Sequence, residues 1–195
     1  MKLIAIRNIL SILIPITFVS CSVFQNGMTN HNEQYVPIKP HYKLKDKQEI
    51  FPIMLDTIGV YKMTEMYNNG VLVYPISNSR DDLNNIYNYI RFYKNGRCLI
   101  FTIPSKNDLG MSNLLKESDL NPNNKNYSKS YYYSSNGTKI QIESFVCGDG
   151  KGHYVILDYM LSATGDTLLM QDKYVKIIYK KETIPLHWKS YKATW

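Results

Sequence analysis

From about residue 57 onward, apolar and polar positions alternate in short runs divided by Gly, Pro, Asn and Asp, the period-two pattern of strands that bury one face. Strands are expected at about 57–63, 70–76, 153–161, 166–171 and 174–180, beside two hairpins centred on Asn95-Gly96 and Asn136-Gly137. The last strand is the clearest, with Val175, Ile177 and Tyr179 on an inner face and Tyr174, Lys176 and Lys180 on an outer one. The run 153–161 is apolar on both faces apart from Asp158, as in a central strand or a barrel wall. A polar stretch at 105–129 interrupts the pattern, and 113–120 within it suits one or two helical turns. Together these elements predict an all-β fold: an antiparallel up-and-down barrel or sandwich of about eight or nine strands with one short helical insertion.

An Asn-Gly pair between two alternating runs favours a two-residue type I′ turn, whose central residues both need positive φ. At Asn95-Gly96 such a turn sets Ile90 opposite Phe101 and Phe92 opposite Leu99, one apolar face completed by Ile103. Tyr89, Arg91 and Tyr93 then meet Thr102, Ile100 and Cys98 on the reverse face. At Asn136-Gly137 it sets Tyr133 opposite Ile140 and Tyr131 opposite Ile142, with Tyr132 opposite Gln141 on the other side. In such a meander Cys98 and Cys147 lie on strands separated by a third. They are offset by about seven residues, roughly 20 Å or more at ~3.3 Å per residue, so no disulfide is expected between them.

The longest apolar run lies at the extreme N-terminus. Lys2 and Arg7 precede it, residues 9–19 are apolar apart from Ser11 and Thr17, and Phe18-Val19-Ser20-Cys21 follows. That arrangement resembles the lipobox of bacterial lipoproteins. The resemblance implies cleavage before Cys21, acylation of its thiol and new amine, and a stable membrane anchor of two or three acyl chains. Residues 1–20 are then a lipoprotein signal peptide, and 21–52 the lipidated cysteine with a polar stretch that reads as a flexible tether. The barrel domain spans 53–184, and 185–195 forms a C-terminal segment packed on the barrel.

The 195-residue chain is 44% hydrophobic and 20% charged, which excludes a disordered chain. Its net charge of +7 falls to +5 without the first twenty residues, because Lys2 and Arg7 leave and no acid does. The remaining basic residues are scattered, the longest run being Lys180-Lys181, so no nucleic-acid partner is expected.

Motifs that carry chemistry are sparse. The run Gly148-Asp149-Gly150-Lys151-Gly152 has the composition of an anion cradle, yet it precedes a strand and suits a hairpin loop. His153 and Asp158 stand five residues apart, on opposite faces of one strand, which argues against an acid–base pair. His31 and His41 fall in the polar segment without companions that would make a metal site, and His187 lies near Trp188 in the C-terminal segment. In Tyr131-Tyr132-Tyr133 the middle ring points away from the other two, so the three form no single stacking platform. The sequons at Asn126 and Asn136 are expected to stay bare in a bacterial lipoprotein. No catalytic residue, metal or cofactor is expected, and no enzymatic activity.

Strands in this number, the opening Gly59-Val60-Tyr61 and the hairpin Ile90-Arg91-Phe92-Tyr93-Lys94-Asn95-Gly96-Arg97 resemble the calycin group, in particular small lipocalin-like lipoproteins of Bacteroidetes. Tyr61 stands where lipocalins carry Trp, and Leu157-Asp158-Tyr159 is similar to their later Thr-Asp-Tyr. The resemblance implies an uncharacterised lipoprotein that serves as a structural or protein-interaction component of the envelope. The alternative is a binding module for a small apolar or amphipathic ligand inside the barrel. Ser22–Asn26 carries no acid of the kind seen in surface-export signals, so an outer-membrane position facing the periplasm is expected.

Overall fold

The computed structural model describes residues 27–29, 35–37, 39–47, 54–74, 86–104, 115–122, 128–148, 151–185, 187–188 and 191–195. Two three-residue strands, β1 (Gly27–Thr29) and β2 (Tyr35–Pro37), pair with each other. The remaining strands are β3 (Val60–Asn68), β4 (Val71–Tyr74), β5 (Ile86–Phe92), β6 (Arg97–Pro104), β7 (Ser128–Ser134), β8 (Lys139–Gly148), β9 (Lys151–Leu161), β10 (Thr167–Gln171) and β11 (Val175–Glu182). Each barrel strand pairs antiparallel with its neighbours, and β11 returns to pair with β3 along nearly its whole length, closing an eight-stranded barrel. β4 is an additional strand: β3 pairs with β5 at Tyr61 and Lys62, and with β4 from Met66 to Asn68. The fold is therefore all-β and consistent with a lipocalin-like barrel. Of the helical turns expected at 113–120, the described residues hold one 3₁₀ turn, Glu117–Leu120.

Both Asn-Gly hairpins differ from the expected register by one residue. Ile90 pairs with Ile100 and Phe92 with Cys98, while Tyr89 meets Phe101 and Arg91 meets Leu99. In the second hairpin Tyr132 meets Ile142, and Tyr131 meets Glu143. Each turn has an extra residue, with only Gly96 (φ 73°) or Gly137 (φ 81°) in the left-handed region. Since the side-chain period is two, the slip exchanges the faces of β6 and β7. Cys98, Ile100 and Tyr132 point into the barrel and Leu99 and Phe101 outward, while Tyr89, Arg91 and Tyr93 keep the face opposite Ile90 and Phe92, here the outer wall. A type I′ turn does form at Asn69-Gly70 (φ 51° and 79°), where β3 runs several residues beyond its expected end.

The barrel interior is closed at one end. Tyr61, Phe92 and Tyr132 pack edge to face, with ring centroids 5.6 and 5.0 Å apart, and Leu55 is buried with them. The Tyr61 hydroxyl donates to the Gly165 carbonyl (2.8 Å) and accepts from the Asp56 amide (3.2 Å), joining the segment before β3 to the β9–β10 turn. At the other end the inner wall is less covered: Leu157 and Val146 are each 38% exposed. Asn88, Thr102, Ser130 and Ser144 add polar groups to that end of the wall, Thr102 donating to Asn88 (2.8 Å) and the two serine hydroxyls bonding each other (2.8 Å).

A second apolar cluster lies outside the barrel. Val60, Tyr89, Tyr93, Leu99 and Phe101 are covered by Leu115 and Leu120 from the 3₁₀ region and by Ile184, Trp188, Tyr191, Ala193 and Trp195 from the C-terminal segment. On another part of the wall, residues expected to belong to the flexible tether are bound to the barrel. The Tyr42 ring packs between Tyr131 (4.7 Å) and Tyr154 (4.8 Å) and its hydroxyl donates to the Lys129 carbonyl. Leu44 is buried and its amide donates to Glu143 Oε2 (2.8 Å). The tether expectation for 21–52 therefore fails over 41–44, where aromatic packing and a buried carboxylate supply what composition does not reveal.

Candidate functional site

Alternation along β5 places Arg91 on the outer wall between Tyr89 and Tyr93, beneath the C-terminal segment. Its side chain has no solvent exposure, and none of its three guanidinium nitrogens has a hydrogen-bond partner among the described residues. The guanidinium carbon lies 5.4 Å from the centre of the Tyr93 ring, a cation–π contact. Burial lowers its pKa from the ordinary arginine value, while Tyr93, Asp56 and Tyr191 act in the opposite sense. Asp56 is engaged elsewhere: its Oδ1 accepts the amides of Ile58 (2.7 Å) and Gly59 (2.9 Å), and its Oδ2 lies 3.7 Å from Lys181 Nζ. Trp195 packs edge-on to the same Tyr93 ring at 6.0 Å, and its buried indole N–H likewise has no acceptor among the described residues.

Beside this cluster a cleft of about 510 Å³ opens at the closed end of the barrel. Residues 57–58, the 93–95 turn and 191–194 form its walls. Asn95 Nδ2 donates to the Ala193 carbonyl (2.7 Å), holding the C-terminal wall against the turn.

The residues singled out from the sequence are dispersed. Cys21 and His31 lie outside the described residues. His41 is exposed, and its amide donates to the Tyr154 hydroxyl. Asp158 belongs to a cross-strand pair, 2.9 Å from Lys139 Nζ and from Gln141 Nε2; these two bonds lower its pKa. Of the glycine run, residues 149–150 are not described, and Gly152 makes room for Phe145, whose ring a Cβ would overlap. Asn136 caps its own turn, accepting the amides of Thr138 and Lys139. Cys98 is a buried free thiol. Pairing sets it level with Ser144, three residues from Cys147 where about seven were expected, because barrel closure staggers the strands. Two strand spacings of ~4.8 Å still separate the two positions.

Among the described residues no group of three His, Cys, Asp or Glu side chains is placed to hold a metal, and no helix is long and apolar enough to cross a membrane. No protein-family model, curated protein or solved structure matches the chain. The class of protein thus rests on architecture: a closed antiparallel eight-stranded barrel with one added strand. Arg91 was legible only as one polar member of a strand; the C-terminal segment that packs on its neighbours Tyr89 and Tyr93 on the same face lies about a hundred residues away in sequence.

Proposed function

We propose that this chain is a membrane-anchored bacterial envelope lipoprotein, acylated at Cys21, that serves as a structural or protein-interaction component on the periplasmic side of the outer membrane. The N-terminal pattern from Lys2 to Cys21 supports the anchor. The observation that carries the interaction role is β4. Among the described residues this strand pairs with β3 alone, and it exposes Val71 (65%), Leu72 (48%) and Val73 (40%) in succession. An apolar edge of this kind is a template for another chain, and proteins that keep one uncovered do so at a cost in solubility.

Two measurements test this reading. Cys21→Ser should release the protein from the membrane fraction or leave an unprocessed precursor, and wild-type processing and fractionation would exclude the anchor. A photo-crosslinking residue at position 72 should form discrete adducts in the envelope that vanish in Val71→Lys/Val73→Lys, with thermal stability retained. Adducts unchanged by the two lysines would exclude the edge as the contact.

The partly exposed inner wall at the far end favours a second reading, a small amphipathic ligand seated there. Leu157 and Val146 would take its apolar part, and Ser144 and Thr102 its polar group. A dansylated fatty acid should then gain fluorescence on binding, and Leu157→Trp should remove the signal. No fluorescence gain with the wild-type chain would exclude this reading.

A further inference from the structure

An arginine does not escape burial by losing its proton, and a guanidinium withdrawn from water without hydrogen bonds is among the least favourable arrangements a protein interior can hold. Arg91 is in that position: it is fully buried, and among the described residues no acceptor bonds its guanidinium. Tyr93 offers it a ring face, and the carboxylate that acts on it, Asp56, is committed to two amides and Lys181. Trp195 adds a second orphaned donor against the same Tyr93 ring. Among the described residues the deficit is one of acceptors: two neighbouring buried donor groups, one of them a fixed positive charge, have no hydrogen-bond partner.

The adjoining cleft has the complementary properties. Tyr93 lines it and holds the Arg91 guanidinium 5.4 Å from its ring centre, so the arginine, itself not part of the lining, lies behind the Tyr93 side of the cleft wall. Lys94 and Lys192 stand at the rim, and Ile58 and Ala193 make the wall between them apolar. Its volume of about 510 Å³ falls within the range of small-molecule sites.

We infer that this cleft binds a small organic carboxylate. Its apolar or aromatic body lies against Ile58 and Tyr191, and its carboxylate pairs with Arg91 once the intervening side chains move aside. A planar carboxylate matches the guanidinium fork with two parallel hydrogen bonds, and its single charge costs less to withdraw from water against an apolar wall than the higher charge of a phosphate. The site is separate from both the β4 edge and the far end of the barrel, and does not depend on the lipid anchor.

The test uses the full chain in detergent, at constant ionic strength, with benzoate, benzamide and inorganic phosphate as probes. Millimolar benzoate should raise the melting temperature in a saturable way and shift the Trp195 indole N–H resonance, whereas benzamide should do neither. Arg91→Met should melt no lower than wild type without ligand, because an apolar side chain of similar length replaces an unpaired charge, and should weaken the benzoate response at least tenfold. Equal responses to benzoate and benzamide, a response to phosphate alone, or an Arg91→Met protein that keeps its benzoate response would each overturn the proposal. Should Arg91→Met fail to fold, the wild-type comparison decides: no benzoate-specific shift of the indole resonance excludes the site.

Discussion

Two residues show how little room the closed end of the barrel leaves. Gly165 has φ +72°, and a Cβ there would run into the Met54 carbonyl, so the β9–β10 turn and the segment before β3 interlock at backbone level. Gly165→Ala is expected to destabilise the protein by about 1–3 kcal/mol, checked by urea unfolding. Inside the barrel, burial pushes the Cys98 thiol pKa up, so little thiolate exists to react. Iodoacetamide should leave the Cys98 peptide unlabelled in the native protein and label it after denaturation; native labelling at the denatured rate would contradict the packed interior. Neither property is visible in residue type. Arg91 makes the same point from the other side, since alternation assigned it a face but not the segment that covers that face.

For the elements, existence was legible and register was not. The runs around Asn95-Gly96 and Asn136-Gly137 are strands as expected, but each turn takes an extra residue. The cause is that β5 and β6 are apolar on both faces: Ile90, Phe92 and Cys98 fill the barrel, while Tyr89, Leu99 and Phe101 pack beneath the C-terminal segment. Alternation specifies register only where one face is polar, so it could not choose here. β11, with lysines on its outer face, is the contrasting case and was placed correctly. The segment containing Tyr42 and Leu44 is an element that composition concealed. Tyr42→Ala removes two ring contacts and a hydrogen bond, and is expected to cost about 2–3 kcal/mol. The same change should speed proteolytic cleavage within 39–47, and unchanged cleavage would show that the segment is not held by this ring.

Across the whole molecule, buried tyrosines link stability to alkaline pH. Burial raises the pKa of Tyr61 and Tyr179 to about 12 and pushes Tyr42, Tyr89, Tyr93 and Tyr159 up as well. The folded state thus retains protons that an unfolded tyrosine loses near pH 10. Their contribution is complete below about pH 10 and declines as pH rises through 12. Tyrosinate absorbance and loss of β-sheet circular dichroism should therefore appear together in one alkaline transition. Stepwise titration of all tyrosines ahead of unfolding would contradict it. The sequence by itself determined the class of fold and most strand positions, because period-two alternation and turn residues are local consequences of strand geometry. Only the tertiary structure decided which of two apolar faces entered the barrel, how far closure staggered the strands, and that Arg91 and Tyr42 would be covered. Those outcomes depend on contacts between segments far apart in the chain, which local spacing does not encode.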